Sequence, residues 1–194
     1  LHDLFFTDII DRVHDIEGQD QSSKEAAMVS EYLADRAATT GDAKPRLDLM
    51  IFYASHYPYF HPPGLAPHQP EAEEDASLHC GDATEKRQKA VEVKNRYMNS
   101  IRYVDQLLGR LFDGLAAQGR LRETVILVTG DHGEEFWEHG RFGHTYGLVR
   151  EQVHVAAVLC LPGHQGKSAY QYTSHADFMP TLFEHIGLDI EGPP

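Results

Sequence analysis

A β-branched run that ends in an Asp-His pair constrains the fold of this chain more than any other stretch. Residues 124–129 read Thr-Val-Ile-Leu-Val-Thr, and Gly130, Asp131, His132 and Gly133 follow at once. An apolar run of this length between turn residues is typical of a buried strand in a parallel sheet. Ligands of open α/β sheets bind beyond the carboxyl ends of the strands. Asp131 and His132 are therefore predicted to lie at a ligand site.

The two side chains together favour a divalent metal ion. Just past a strand end the chain curls, so that neighbouring residues can turn toward one ion. A carboxylate with an imidazole suits Zn or Mn better than Ca, which prefers a shell of oxygen ligands. The pair alone leaves open the alternative of a capped turn with a surface histidine.

Other segments predict strands and helices in alternation. Strands are predicted at residues 47–54, 124–129 and 153–161, with a further short strand at 168–173. Helices are predicted from Ser22 or Ser23 to about residue 38, over 84–118 (one long helix or two abutting ones) and over 177–187. Residues 1–20 are predicted as a short helix or an irregular segment. The long helix carries an apolar stripe expected to face a sheet: Tyr97, Ile101, Val104, Leu108, Leu111 and Leu115. The order predicts an α/β fold with a mostly parallel central sheet and helices on both faces.

Charge and cysteine content limit the partners. The formal net charge of −13 argues against nucleic acid and leaves no basic patch for anionic lipid. Bound cations would still allow an acidic protein to bind an anionic ester. No apolar run approaches the roughly 20 residues that cross a bilayer, so membrane contact is expected only through segments outside this chain. The two cysteines form neither a disulfide framework nor a metal cluster, and Cys160 is predicted to be a core residue.

Four groups of residues, in a fixed order, connect the chain to a known family. They are His56-Tyr57-Pro58-Tyr59, the helix segment 95–105, the Asp131-His132 loop up to His144, and the Ser-His-x-Asp-x-x-Pro-Thr-Leu segment 174–182. This collinear set resembles the sulfatase-like branch of the alkaline phosphatase/sulfatase superfamily over roughly residues 45–188. Within that branch the chain looks most like the membrane-anchored periplasmic proteins of the YejM/PbgA type or a related envelope sulfatase.

The resemblance implies a metal-dependent hydrolase or transferase that acts on sulfate or phosphate esters, with lipid-linked esters among the candidates. Asp131 and His132 would be ligands of a divalent metal (Zn, Mn or Ca, with Zn or Mn favoured). His56 and His144 would contact the non-bridging oxygens or the leaving group of the substrate. The resemblance also implies a periplasmic or extracytoplasmic location, with an inner-membrane anchor in an N-terminal segment outside this chain.

Several family features have no match in these residues. The superfamily takes two further metal ligands and a Ser, Thr or modified Cys nucleophile from earlier strands, and residues 1–44 hold nothing similar. Cys80 lacks the Cys-x-Pro-Ser-Arg context of a sulfatase nucleophile. The chain is therefore interpreted as a single domain, the C-terminal part of a larger hydrolase domain, and is expected to be inactive alone. Ser55, where many relatives have Asp, weakens the case for ordinary sulfatase substrates, whereas Val155-Ala156 in place of Val-Pro is a backbone detail.

Structural alternatives remain for most of these side chains. His56 and His144 can be loop histidines, His175 can cap a helix, and Trp137 is expected to cover the pocket. Glu134, Glu135 and Glu138 are expected to support the ligands or to be solvated. The alternative function is a non-enzymatic envelope domain that binds or senses lipid or protein partners. A third interpretation is a structural α/β domain with an incidental Asp-His pair.

Overall fold

The computed structural model describes residues 21–39, 46–74, 82–164, 166–167 and 172–188. The chain divides into two compact units, Leu1–Gly114 and Leu115–Pro194. The predicted segment 1–20, most of the strand predicted at 168–173 and Cys80 lie outside the described residues.

Two helices dominate the first unit, and both were predicted. Helix α1 spans Gln21–Ala38, and helix α2 spans Ala83–Ala117 and continues into the second unit. Asp82 begins α2, because its side chain accepts the backbone N–H groups of Thr84 and Glu85 at 2.7 and 3.0 Å. Gly119, with φ of +72°, ends the helix in a left-handed cap.

The buried face of α2 differs from the predicted stripe. Leu111 is buried as expected, but Ile101 is exposed, and Tyr103 and Leu107 are buried instead. Among the described residues of this unit, α1 and the loop 54–74 both contact α2. Arg110, for example, donates a hydrogen bond to Ser30 at 3.1 Å. The helix therefore buries the face that meets these elements, and among the described residues of this unit no sheet covers it.

Polar side chains of α2 hold the loop 54–74 in place. Arg96 Nε donates to the carbonyl of Pro58 at 2.9 Å. The side chain of the buried Asn99 exchanges two hydrogen bonds with the backbone of His68, at 3.0 and 3.1 Å. These bonds satisfy backbone groups that no strand partner satisfies.

The prediction of a strand at 47–54 is wrong. Within the described residues this segment belongs to no strand, and Leu47 and Leu49 are 75% and 81% exposed. Apolar composition favours an extended chain, but a strand also needs a neighbour for its backbone groups. Near its end, the backbone N–H groups of Tyr53 and Ala54 instead bind the side chain of the buried Glu25 in α1.

The second unit contains two short antiparallel ribbons. Strand β1 (Ile126–Thr129) pairs with β4 (Ala157–Cys160), so that Ile126 lies opposite Cys160 and Thr129 opposite Ala157. Strand β2 (Glu135–Phe136) pairs with β3 (Phe142–Gly143). A mostly parallel central sheet is therefore not found among the described residues, because an apolar run does not encode the direction of its neighbour.

Short helices complete this unit. Helix α3 spans Arg150–Val153, where the predicted strand 153–161 was expected to begin, and α4 spans Phe178–His185 within the predicted helix. Cys160 is exposed and not a core residue, because β4 faces solvent throughout. In the described part of the chain, no helix combines the length and apolarity that a bilayer crossing requires.

Candidate functional site

The predicted metal ligands Asp131 and His132 lie directly beyond the end of β1. Asp131 Oδ1 accepts the backbone N–H of His132 at 3.0 Å, and its side chain is 90% exposed. His132 Nδ1 donates to the carbonyl oxygen of Gly133 at 2.9 Å. That bond places a proton on Nδ1, so in the neutral ring the lone pair lies on Nε2, which is the arrangement of a histidine that binds a metal.

The spacing of the two ligand atoms fits a single metal ion. Asp131 Oδ2 lies 3.6 Å from His132 Nε2. Two ligand atoms about 2.0–2.1 Å from a tetrahedral Zn²⁺ are about 3.4 Å apart, so a small adjustment of the exposed carboxylate suffices. Within the described ranges, no group of three or more His, Cys, Asp or Glu side chains converges to hold a metal. Asp131 and His132 would therefore supply two ligands of a metal shell and not a complete one.

Gly133 brings the ligand loop against helix α3. Its N–H donates to the carbonyl of Gln152 at 2.8 Å. A Cβ atom on Gly133 would lie 2.1 Å from the carbonyl oxygen of Glu151. Only glycine fits this position, because both sides of the contact are backbone.

His144 joins the predicted ligands. Its ring lies 3.8 Å, centroid to centroid, from the ring of His132, with an angle of 34° between the planes. His144 Nδ1 donates to Glu134 Oε1 at 2.9 Å, and the two side chains are 27% and 8% exposed. The carboxylate orients the imidazole, so Nε2 is the nitrogen that can exchange a proton with a substrate oxygen.

Glu135 is buried, whereas the side chain of Asp131 is exposed. It is 1% exposed and lies in β2. Its Oε1 accepts the backbone N–H groups of His139 and Arg141 at 2.9 and 3.2 Å, and its Oε2 accepts Gln152 Nε2 at 3.1 Å. Three donors therefore compensate the burial of this carboxyl group. The sequence placed Glu135 among supporting or solvated residues, and the structure shows that it supports the loop.

An exposed ion pair lies on the same loop. His139 Nε2 donates to Glu151 Oε2 at 2.9 Å. The hydrogen bond to Glu151 raises the pKa of His139 above its ordinary value. The pKa of Glu151 is lowered, first by a hydrogen bond from its own backbone N–H and then by the bond from His139.

His175 contacts the Asp131-His132 loop. The sequence did not predict this contact. Its Nε2 donates to the carbonyl of Gly130 at 2.8 Å, and its ring meets the ring of Phe178 edge to face. The expected cap comes instead from Asp177, whose carboxylate accepts the N–H of Ser174 at 2.6 Å. His175 is 45 residues from Gly130, so no local sequence pattern indicates this contact.

His56 lies in the first unit, whereas Asp131, His132 and His144 lie in the second. His56 Nδ1 donates to the carbonyl of Tyr57 at 2.8 Å, which leaves Nε2 as the acceptor nitrogen of its neutral form. The side chain is exposed on the loop 54–74, and its backbone carbonyl accepts the N–H of Tyr59 at 2.7 Å. The role of His56 at a substrate stays a prediction.

Comparison with known proteins identifies the family. The family model described as Sulfatase matches residues 5–188. The multifunctional alkaline phosphatase superfamily protein PehA of Trinickia caryophylli is 30% identical over 99 residues, covering 50% of this chain and 19% of that protein. Lipoteichoic acid synthase of Staphylococcus saprophyticus is 26% identical over 160 residues, 76% of this chain and 22% of that protein. An arylsulfatase of Clostridium perfringens is 29% identical over 123 residues, 59% of this chain and 26% of that protein.

The chain thus spans about a fifth to a quarter of the length of the curated relatives it matches. The family model covers nearly all of the chain, including the Asp-His loop and the His56 loop. It implies an α/β fold of the alkaline phosphatase type. The described residues contribute helices and short antiparallel ribbons, and they do not show a parallel central sheet. The chain belongs to the sulfatase family.

Proposed function

We propose that the whole protein is a metal-dependent hydrolase or transferase that acts on sulfate or phosphate esters. One observation carries the proposal: Asp131 Oδ2 and His132 Nε2 lie 3.6 Å apart, with the His132 lone pair on the nitrogen nearer the carboxylate. Sulfatase-family proteins generally depend on a metal ion, and the relatives include both arylsulfatases and lipoteichoic acid synthases. An anionic ester is therefore the substrate class that we propose.

The residues of this chain would divide the work as follows. Asp131 and His132 hold the metal, with Zn or Mn favoured by the mixed oxygen and nitrogen donors. When bound, the ion polarises the ester and stabilises the anion of a nucleophile. His144, oriented by Glu134, exchanges a proton with the leaving-group oxygen. His56 is proposed to donate a hydrogen bond to the substrate.

We also propose that the remaining ligands and the nucleophile come from other parts of a longer protein. The limited share of each relative that this chain matches supports this proposal. A position outside the cytoplasm, with a membrane anchor in another segment, follows from the resemblance to membrane-anchored periplasmic proteins. Fractionation of cells that produce the full-length protein tests it, and recovery in the cytosol would contradict it.

Metal analysis of the full-length protein tests the ligand assignment. We expect Asp131→Ala to lower the bound Zn or Mn strongly, because the exposed carboxylate supplies a ligand oxygen that alanine lacks. The matched control is Asp113→Ala, which removes an exposed carboxylate from α2. Metal content that is the same in the wild type and in Asp131→Ala would refute the assignment.

A further inference from the structure

A buried carboxyl group connects the two loops that carry His132 and His144. Glu135 is 1% exposed, and all of its hydrogen bonds given above are to groups of the second unit. Two of its donors are backbone N–H groups of the loop between β2 and β3. The third is the side-chain amide of Gln152, a buried residue of α3.

From Gln152 the contacts continue to the metal loop. The backbone carbonyl of Gln152 accepts the N–H of Gly133, and the Gly133 carbonyl accepts the Nδ1 proton of His132. A movement of α3 relative to β2 would therefore shift Gly133, and with it the carbonyl that orients the His132 ring.

Through the β2–β3 ribbon, Glu135 also sets the position of His144. Glu135 pairs with Gly143 in the β2–β3 ribbon, so its register fixes the residue that precedes His144. Glu134 directly precedes β2, so anchoring Glu135 in the ribbon also fixes the backbone from which the Glu134 side chain extends. Glu134 is the residue whose carboxylate holds His144.

We propose that Glu135 and Gln152 form a carboxylate–amide clamp that sets the distance between the rings of His132 and His144. Both are positioning residues, because they act through Gly133 and Glu134 and touch neither the metal ligands nor a substrate. The part of this proposal that concerns metal binding by His132 rests on the proposed function. The effect of the clamp on the two rings is a property of the chain itself.

An exchange of the two side chains tests the clamp in the full-length protein. Gln152→Glu places a second carboxyl group about 3.1 Å from Glu135, and like charges at that distance repel. We expect Zn²⁺ and Mn²⁺ affinity, measured by titration with each metal, to fall about 10- to 100-fold. Adding Glu135→Gln restores an amide opposite a carboxylate, and we expect the double variant to recover most of the affinity.

A second readout needs no metal. In protein labelled at the histidine Cε1 position, we expect a nuclear Overhauser effect between the rings of His132 and His144. It should weaken in Gln152→Glu and return in the double variant. Arg122→Gln is the matched control, because it makes the same change in net charge at an exposed residue. If Gln152→Glu does not fold, Gln152→Met removes the amide donor at similar size and takes its place.

The outcomes separate the clamp from the proposed function. The wild type could bind neither Zn²⁺ nor Mn²⁺, while the nuclear Overhauser effect weakens in Gln152→Glu and returns in the double variant. That result would refute the metal site and support the clamp. Unchanged metal affinity and unchanged ring contacts in folded Gln152→Glu would overturn the clamp, even if the melting temperature fell. Failure of the double variant to recover would overturn it as well.

Discussion

At the scale of single residues, Gly133 decides how closely the Asp131-His132 loop approaches α3. The carbonyl oxygen of Glu151 lies where a side chain on Gly133 would begin, and the N–H of Gly133 is bonded to the next carbonyl along α3. The glycine next to the ligand pair is thus required by a close backbone contact.

Gly133→Ala is expected to lower the free energy of unfolding by about 3 kcal/mol, because neither backbone can move away without breaking the Gln152 bond. Urea unfolding of the full-length protein measures this. Gly147→Ala is the control, since a Cβ there has no atom within 4 Å, and its effect should stay within about 0.5 kcal/mol. Equal effects of the two substitutions would show that the contact is absent.

The His139–Glu151 pair predicts a pH dependence with a defined sign. The raised pKa of His139 means that its contribution to stability is present below the ordinary value of 6.5 and is lost as pH rises through the folded-state pKa. The lowered pKa of Glu151 means that its contribution is present above 4.5 and is lost as pH falls through its folded-state pKa. The pair therefore stabilises the fold most between these two ordinary values.

A histidine titration followed by NMR checks this. We expect His139 to titrate above 6.5 in the wild type, and Glu151→Gln to bring its pKa back toward 6.5, because the substitution removes the hydrogen-bonded carboxylate and its charge. A wild-type pKa at or below 6.5 would show that the pair does not form in solution.

At the scale of elements, helix α2 combines two kinds of contact. Its buried apolar residues form a core with the first unit, and Arg96 and Asn99 bind the backbone of the loop 54–74. The loop that carries His56 is therefore held by side-chain hydrogen bonds and not by strand pairing.

Two substitutions in α2 distinguish the observed buried face from the predicted one. Leu107→Ala should lower the free energy of unfolding by about 2–5 kcal/mol, because it opens a cavity at a residue that is almost fully buried. Ile101→Ala should cost less than about 1 kcal/mol, since Ile101 is exposed and alanine favours helix. Thermal or urea unfolding measures both, and a larger cost at Ile101 would favour the stripe predicted from the sequence.

At the scale of the whole molecule, the chain is a sulfatase-family sequence in two units that matches a limited share of its relatives. Two proposed ligands and the Glu134–His144 pair lie in the second unit, and His56 lies in the first. A catalytic site of the proposed kind needs more metal ligands than these.

We therefore expect purified residues 1–194 to hydrolyse neither p-nitrophenyl sulfate nor p-nitrophenyl phosphate above the background rate. The full-length protein should turn over one of these esters or the corresponding phosphodiester, and Asp131→Ala should abolish that activity. The prediction would be contradicted if residues 1–194 hydrolysed either ester and Asp131→Ala abolished that hydrolysis.

The sequence alone determined the features that depend on neighbouring residues. Helix α2 was predicted to within a residue at each end, because capping residues and periodicity are local. Asp131 and His132 were predicted as a pair because adjacency and the end of β1 suffice to bring them together. The family followed from motifs in a fixed order.

Only the tertiary structure decided what depends on distant residues. It paired β1 with β4 in antiparallel fashion, exposed Cys160, and gave the segment 46–53 no strand partner among the residues that the structure describes. It also joined Glu135 to Gln152 and His175 to Gly130, across 17 and 45 residues of sequence. The physical reason is that local propensity sets the shape of a segment, whereas its partners depend on which loops close and on which buried groups need a hydrogen bond.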